Sequence, residues 1–184
     1  RGAGLRYVLD TVATFRRTDA RTPVVLMGYL NPVEIHGYAR FADAAIAAGV
    51  DGVLLVDLPP EEAAEAKSAF AAAGLALILL ASPTTSDARA ATLLELAQGY
   101  LYYVSFAGVT GASERLDSTV AGHRLQALRA QARVPVVAGF GIKDAASAAA
   151  MARDADGVVV GSALVAALAE AGSAQDAATR AGAF

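Results

Sequence analysis

The fold is decided by residues 38–74, which read YARFADAAIAAGVDGVLLVDLPPEEAAEAKSAFAAAG. Up to Gly49, apolar residues recur close to every third and fourth position, which predicts a helix that ends at this glycine. The run Val53–Val56 is short and continuously apolar, which predicts a buried strand. Glu61–Ala73 then repeats the helical pattern and is followed by Gly74. This stretch therefore predicts a helix, a strand and a second helix in succession, the arrangement from which parallel α/β folds are built.

The same strand–helix unit recurs along the whole chain. Six short apolar runs lie between helical patterns, and successive runs start 23 to 33 residues apart, which is too far for hairpins and suits βα units. The predicted strands are Val24–Tyr29, Val53–Val56, Leu77–Leu80, Leu101–Val104, Val134–Ala138 and Gly157–Val160. Further helices are predicted at Asp87–Ala97 after Ser86, at Asp144–Ala152 with a cap from Lys143-Asp144, and at Ala163–Ala169.

Residues suited to turns and binding follow each predicted strand. They are Gly28-Tyr29-Leu30-Asn31-Pro32, Asp57-Leu58-Pro59-Pro60, Ser82-Pro83-Thr84-Thr85, Ser105 onward, Gly139-Phe140-Gly141 and Gly161-Ser162. Functional residues around one rim favour a barrel over an open doubly wound sheet, and the first strand lacks the G-x-G-x-x-G turn of a dinucleotide fold. A barrel needs eight strands and usually about 250 residues. We therefore expect an α/β fold, a (β/α)8 TIM barrel with six strands present and the first two missing. Residues 1–184 would form one barrel domain, incomplete at its amino terminus and at its carboxyl terminus.

Composition excludes several classes of protein. The chain has 184 residues, 55% of them hydrophobic, which excludes intrinsic disorder. No apolar run reaches the roughly 20 residues that span a bilayer, and a net charge of −3 gives no electrostatic footprint for nucleic acid. Cysteine is absent, and His36 and His123 have no partner at ligand spacing, so we expect neither disulfides nor a metal site. We expect a soluble, cytoplasmic globular domain.

Glycine-containing turns follow the last three predicted strands. They are Gly108–Gly111, Gly139-Phe140-Gly141 and Gly161-Ser162. Glycine lets the backbone approach an anion closely, and the first N–H groups of a helix attract one. Because Gly161-Ser162 opens a helix, Ser162 is expected to cap that helix and to donate its hydroxyl to a phosphate. Ordinary turn glycines and an ordinary cap would explain any single turn, but three in succession predict a phosphate site.

Few side chains at the predicted strand ends suit acid–base chemistry. Asp57 is the one carboxylate at the carboxyl end of a predicted strand, and it is the candidate general acid or base. In the alternative interpretation, it accepts hydrogen bonds from backbone N–H groups in the turn before Pro59. Tyr102 and Tyr103 are consecutive in a strand, so they must point to opposite sides of it, and one of them faces the interior.

The turns and the strands before them resemble those of a known family. The segments that carry the resemblance are Val25–Pro32, Gly49–Glu62, Ser82–Thr85, Tyr102–Ala112, Gly139–Ile142 and Asp156–Ala163. In this order, and over nearly the whole chain, they resemble segments of the tryptophan synthase α subunit family. The first strand of this chain is similar to the third strand of that family.

The resemblance implies a (β/α)8 barrel lyase. The family cleaves indole-3-glycerol phosphate to indole and glyceraldehyde 3-phosphate in tryptophan biosynthesis, and it passes indole to a pyridoxal-phosphate β subunit in a complex of two α and two β subunits. No cofactor is implied in the α subunit itself. The residues implied to bind substrate are Tyr102, Thr110, Gly111, Phe140, Gly141, Gly161 and Ser162. Those implied to lie near the β subunit or the indole end are Tyr29, Asn31, Pro32, Asp57 and Pro59. Ser105–Leu116 resembles the family's mobile loop, with Thr110 able to close over the site.

The chain departs from the family in its catalytic carboxylates. The family's Glu at the end of strand 1 and its Asp after strand 2 belong to segments with no counterpart in residues 1–184, and Asp57 matches neither. Acid–base groups typically contribute about 10²–10⁴-fold each, so we expect this chain by itself to be inactive. Phe106 stands where some members have Arg, which leaves phosphate binding intact but removes support for an interface role at that position.

Two other interpretations stay open. A natural short form would be a non-catalytic barrel fragment that binds and regulates a β subunit without cleaving the substrate. An unrelated phosphosugar aldolase or isomerase on the same fold would need a lysine for a Schiff base, or another carboxylate at a strand end. Lys67 falls within a predicted helix and Lys143 starts one, so neither lysine suits that role.

Overall fold

The computed structural model describes residues 4–104, 118–139 and 141–183, and the side chains of residues 118–121 are not among those described. The chain forms two compact units. The first takes in the chain up to residue 80 together with residues 87–101, and the second takes in residues 81–86 and the chain from residue 102 onward. Each unit is built from alternating strands and helices, as the repeated pattern predicts.

The elements follow one another along the chain in βα order. The first unit holds α1 (Leu5–Phe15), β1 (Val25–Gly28), α2 (Leu30–His36), α3 (Tyr38–Ala48), β2 (Gly52–Leu55), α4 (Ala64–Ala73), β3 (Ala76–Ala81) and α5 (Asp87–Leu96). The second holds β4 (Leu101–Val104), α6 (Ser118–Gln131), β5 (Val136–Gly139), α7 (Ala145–Met151), β6 (Gly157–Val159), α8 (Ser162–Ala169) and α9 (Ala174–Ala183). The six predicted strands are confirmed, with ends that shift by one or two residues.

Within each unit, neighbouring strands in the sheet are neighbours along the chain. In the first unit β1 pairs with β2 and β2 with β3, both parallel, with Val25 opposite Gly52 and Gly52 opposite Ala76. In the second unit the order is β4-β5-β6, and β5 runs parallel to β6 with Val137 opposite Gly157. Parallel neighbours place all their carboxyl ends at one edge of the sheet, which is where binding residues collect in α/β proteins.

Glycines end two helices of the first unit where the sequence predicts it. α3 spans Tyr38–Ala48 as predicted, and Gly49 follows it in the left-handed conformation with φ +90°. α4 ends at Gly74 in the same way but begins at Ala64, three residues later than predicted. The delay has a local cause: the Ala63 N–H donates to the carbonyl of Pro60 at 3.3 Å, a turn bond between residues three apart.

Apolar packing between helices and strands forms the core of the first unit. Phe41 of α3 and Phe70 of α4 are buried with ring centroids 5.7 Å apart, and Tyr38 meets Phe70 edge-on at 6.0 Å. Every residue of β2 is buried, as are Leu77, Ile78 and Leu79 of β3. Strands covered on both faces give the continuous apolar runs from which they were predicted.

Candidate functional site

The amino end of α8 is capped by a glycine. Gly161 is the cap residue, and its carbonyl accepts the first hydrogen bond of the helix, from the Val165 N–H at 3.0 Å. Ser162 is therefore the first helical residue and not the cap, which corrects the sequence-based expectation. Gly161 has no side chain to satisfy the N–H groups of the first turn, and a Cβ built there would meet no atom within 4 Å among the described residues. This helix end therefore presents backbone N–H donors and a positive dipole end that no side chain of the described residues caps.

The second glycine turn leaves the neighbouring strand at the same edge. Gly139 ends β5 directly opposite Val159 of β6, so the turn after Gly139 and the turn at Gly161 start from adjacent parallel strand ends. Gly141 has φ +74°, a conformation that favours glycine, and it is exposed like Gly161 and Ser162. The structure thus brings three of the predicted phosphate residues to adjoining turns of the second unit.

Several predicted residues lie outside the described part of the chain. Thr110, Gly111 and Phe140 are among them, as is Phe106 with the whole of the loop Ser105–Leu116. The assignment of Thr110, Gly111 and Phe140 as substrate-binding residues stays a prediction from the family resemblance.

Tyr102 lies against the glycine that ends β5. Tyr102 is 8% exposed, and a Cβ built on Gly139 would lie 2.8 Å from its Cζ atom and overlap its hydroxyl oxygen. The same Cβ would lie 3.1 Å from Cβ of Val159. Only glycine at position 139 therefore leaves room for this tyrosine. The sequence pattern predicts Gly139 only as a turn residue and carries no sign of this role, because the two residues come from different strands and no local pattern joins them.

Tyr103 points the other way, as consecutive residues in a strand must. Its side chain is fully buried, and burial raises its pKa, while the positive charge of Arg124 acts in the opposite direction. Arg124 itself donates through Nη2 to the Thr85 carbonyl at 2.7 Å. Thr85 belongs to the predicted turn Ser82–Thr85, so this turn is held by α6 within the second unit.

Asp57 joins two turns of the first unit. Its Oδ1 atom accepts a hydrogen bond from the Leu30 N–H at 2.7 Å, and Leu30 is the first residue of α2. The bond differs from the expected one, since the N–H lies in the turn after β1 and not in the turn before Pro59. A carboxylate at a helix amino end is electrostatically favourable. The Asp57 carboxylate therefore has a structural role, which is to join these two turns, and this role needs no acid–base chemistry.

The residues predicted to face a partner form an exposed group. Tyr29 is 67% exposed, and Asn31, Pro32 and Asp57 are also exposed, while Pro59 is half-buried. The bond from Leu30 to Asp57 ties the two turns that carry these residues together. The structure therefore brings these predicted residues to one connected set of turns in the first unit.

The described part of the chain contains neither a metal-binding cluster nor a membrane-spanning helix. No group of three or more His, Cys, Asp or Glu residues there could hold a metal ion. Among those same residues, no helix has both the length and the apolar character needed to cross a bilayer.

The sequence is similar to one known protein family along almost its whole length. A family model described as "Tryptophan synthase alpha chain" matches residues 1–183. The tryptophan synthase alpha chain of Xanthomonas euvesicatoria pv. vesicatoria is 72% identical over all 184 residues, which span 69% of that protein. The protein of the same name from Xanthomonas axonopodis pv. citri gives the same identity and coverage.

Solved structures agree with this comparison. The crystal structure of the tryptophan synthase alpha chain from Legionella pneumophila matches 98% of this chain with a TM-score of 0.86 and 45% identity, and the match covers 66% of that protein. A structure described as the tryptophan synthase a2b2 complex from Pyrococcus furiosus matches 97% of the chain with a TM-score of 0.82 and 37% identity, over 70% of that chain. The chain thus spans about two thirds of the length of these relatives.

Proposed function

Because the chain belongs to the tryptophan synthase alpha chain family, we propose that it serves a lyase reaction, the retro-aldol cleavage of indole-3-glycerol phosphate to indole and glyceraldehyde 3-phosphate. The observation that carries the proposal is the 72% identity over the whole chain to relatives of that name. The amino end of α8, where no side chain caps the helix, supports it independently, because the free backbone N–H groups of a helix end are suited to binding a phosphate.

The proposed reaction needs a phosphate anchor and two proton transfers. The hydroxyl on the carbon next to the indole ring loses a proton and becomes the aldehyde, the carbon–carbon bond breaks, and C3 of the indole ring gains a proton. Indole therefore leaves neutral, and the phosphate stays on the three-carbon product. Residues that hold the phosphate fix the position of the bond to be broken relative to the acid and the base.

The glycine turns of the second unit provide the proposed phosphate anchor. N–H groups of the first turn of α8 would donate to phosphate oxygens, and the Ser162 hydroxyl would add one donor. Gly141 and Gly161 allow close approach because neither carries a Cβ. Tyr102, buried on β4 just before the Ser105–Leu116 loop and packed against Gly139, would line the pocket for the rest of the substrate.

The acid and the base are assigned elsewhere. Asp57 accepts a hydrogen bond from the Leu30 N–H and matches neither family carboxylate, and the family segments that carry those carboxylates have no counterpart in residues 1–184. We therefore assign binding groups, and no proton-transfer groups, to these residues. In this proposal, a polypeptide of these residues alone binds phosphate but does not release indole. The competing proposal, a chain that only binds a partner subunit, is favoured by the exposed turns around Tyr29.

A β subunit is the proposed partner. The matched Pyrococcus furiosus structure is described as an a2b2 complex, and the family is the one whose pyridoxal phosphate belongs to the β subunit. We assign Tyr29, Asn31, Pro32, Asp57 and Pro59 to the surface that faces this subunit, in a complex of two α and two β subunits. A biosynthetic complex that handles small phosphorylated metabolites would work in the cytoplasm.

The proposal is tested by placing a negative charge in the phosphate anchor. Gly161→Asp should raise the KM for indole-3-glycerol phosphate by on the order of tenfold or more, because the carboxylate occupies the first-turn N–H groups and repels the phosphate. The same carboxylate caps α8, so the melting temperature should stay equal or rise. Indole release and melting temperature are measured on the full-length protein, with and without the substitution.

Gly172→Asp is the matched control, because Gly172 precedes α9 and a Cβ there would also meet nothing within 4 Å among the described residues. It adds the same charge away from the proposed anchor and should leave KM unchanged. An unchanged KM in Gly161→Asp would refute the phosphate anchor. Absence of indole release from the unaltered protein would instead favour the binding-only function.

A further inference from the structure

The amino end of β6 is held by a side-chain arrangement that the proposed reaction does not use. The Asp156 Oδ2 atom accepts a hydrogen bond from the Val136 N–H at 2.9 Å, and Oδ1 accepts one from Arg129 Nε at 2.7 Å. The Asp156 N–H in turn donates to the Val136 carbonyl at 2.8 Å. Three elements, α6, the start of β5 and the start of β6, are therefore joined through one carboxylate. We call this set the β6 clasp.

The first unit contains a second copy of the same arrangement, the β2 clasp. Asp51 Oδ2 accepts from the Val24 N–H at 2.7 Å and from Arg16 Nη2 at 2.6 Å, and the Asp51 N–H donates to the Val24 carbonyl at 2.9 Å. The sequences around the two clasps agree as well. Pro-Val-Val begins at Pro23 and again at Pro135, and Asp-Gly-Val begins at Asp51 and again at Asp156. The arrangement is thus a repeated device for setting two strands side by side.

At β5 and β6 the device acts on strands that are very short. β6 has three residues, and the register places Val137 opposite Gly157, Ala138 opposite Val158 and Gly139 opposite Val159. The clasp sits one step before the first of these pairs. Only a few backbone hydrogen bonds hold two such short strands together. The Asp156 carboxylate, which joins the starts of both strands, therefore supplies a large share of the constraint on their register.

The opposite ends of these two strands carry the proposed phosphate anchor. Gly141 lies two residues beyond Gly139, and Gly161 lies two residues beyond Val159. A strand rises about 3.3 Å per residue, so a shift of β6 against β5 by even a fraction of a residue moves the N–H donors of α8 relative to the Gly141 turn by an ångström or more.

We propose that Asp156, together with Arg129, is a positioning pair for phosphate binding: it sets the register of β6 on β5 and so aligns the Gly161-Ser162 turn with the Gly141 turn. This inference rests on the proposed phosphate anchor. The pair does not touch the substrate and acts only through the two strands. The β2 clasp, which carries no phosphate turn in this proposal, has a purely structural task.

The two clasps provide a matched experiment within one protein. Each clasp loses both of its side-chain hydrogen bonds when its aspartate is replaced by alanine, in Asp156→Ala and Asp51→Ala. Both substitutions are made in the full-length protein. Binding of inorganic phosphate is measured by calorimetry, and stability by urea unfolding. Asp156→Ala should raise the Kd for phosphate by on the order of tenfold, since small misplacements of binding groups are costly. Both substitutions should lower the free energy of unfolding by a similar amount. Asp51→Ala, however, should leave the Kd for phosphate unchanged.

Each result bears on the inference in one direction. Phosphate binding that weakens only in Asp156→Ala supports it, whereas an equal Kd in both variants, or a Kd equal to that of the unaltered protein, overturns it. If Asp156→Ala does not fold, Asp156→Asn replaces it, because the amide oxygen still accepts from the Val136 N–H. A rise in the Kd for phosphate in Asp156→Asn that is smaller than tenfold, with no rise in Asp51→Asn, then supports the inference. An unchanged Kd in Asp156→Asn overturns it. An unaltered protein that binds no phosphate overturns the proposed anchor and this inference together.

Discussion

At the scale of single residues, the absence of one methyl group decides where Tyr102 lies. Gly139 ends β5, and a Cβ at that position would overlap the tyrosine hydroxyl and approach Cβ of Val159 to 3.1 Å. Gly28 ends β1 in the same way, yet a Cβ there would meet nothing within 4 Å among the described residues. Two glycines at equivalent strand ends therefore have different reasons to be glycine. One makes space for a side chain, and the other does not.

Alanine substitution at these two positions should separate the reasons. Gly139→Ala should lower the free energy of unfolding by about 1–3 kcal/mol, because the added methyl group forces Tyr102 or the backbone to move. Gly28→Ala should change it by less than about 0.5 kcal/mol. Urea unfolding of both variants measures the difference. Equal stabilities would show that Tyr102 repacks without cost, contrary to the tight contact described above.

At the scale of elements, the start of α7 shows how a helix end is built from nearby residues. Asp144 caps the helix by accepting from the Ser147 N–H at 2.7 Å, and the Ser147 hydroxyl oxygen accepts from the Asp144 N–H at 3.2 Å. Two hydrogen bonds from Ser147 hold the pKa of Asp144 below its ordinary value. The bond from the backbone N–H has the larger effect, and the bond from the hydroxyl has the smaller one. The ionised form of Asp144 is therefore favoured by the folded state.

This lowered pKa predicts a specific pH dependence. A carboxyl group whose pKa is lower in the folded state stabilises the fold above its unfolded pKa, and the stabilisation disappears as pH falls through the folded value. Asp144→Ala should therefore lower the melting temperature equally at pH 7 and pH 5, and the difference from the unaltered protein should shrink below about pH 4. Asp43→Ala, at an exposed position within α3, is the control and should show a small difference at every pH. A difference in Asp144→Ala that persists at low pH would contradict the prediction.

At the scale of the whole molecule, the two proposed surfaces belong to different units. The residues assigned to the partner, from Tyr29 to Pro59, lie in the first unit, and Gly141, Gly161 and Ser162 of the phosphate anchor lie in the second. Each surface is built at the carboxyl ends of strands of its own unit. Substitutions on one surface should therefore leave the binding function of the other intact.

Tyrosine substitutions test this separation. Tyr29→Ala should weaken binding of the proposed β subunit by on the order of 1–3 kcal/mol, because large exposed aromatic residues often dominate interfaces. Tyr7→Ala is the control, since Tyr7 is 62% exposed on α1, and it should leave that affinity unchanged. Neither variant should alter the Kd for inorganic phosphate. Equal affinity of Tyr29→Ala and the unaltered protein for the β subunit would remove Tyr29 from the interface.

The sequence by itself determined the features that depend on near neighbours. The span of α3 follows from periodicity and Gly49, the cap of α7 from Asp144, and the buried strand β2 from its continuous apolar run. The resemblance to the family, carried by ordered segments such as Gly49–Glu62, is confirmed by the comparisons. Each of these signals lies within a few residues, so one chain is enough to detect it.

Only the tertiary structure decided the features that join distant parts of the chain. The N–H that Asp57 accepts belongs to Leu30, 27 residues away, and Tyr102 lies against Gly139 from another strand. Asp156 bonds to Val136 because parallel strands bring their amino ends together. The physical reason is the same in each case. The packing of distant segments decides which group lies beside a carboxylate or an aromatic ring, and the spacing of residues along the chain does not indicate that partner.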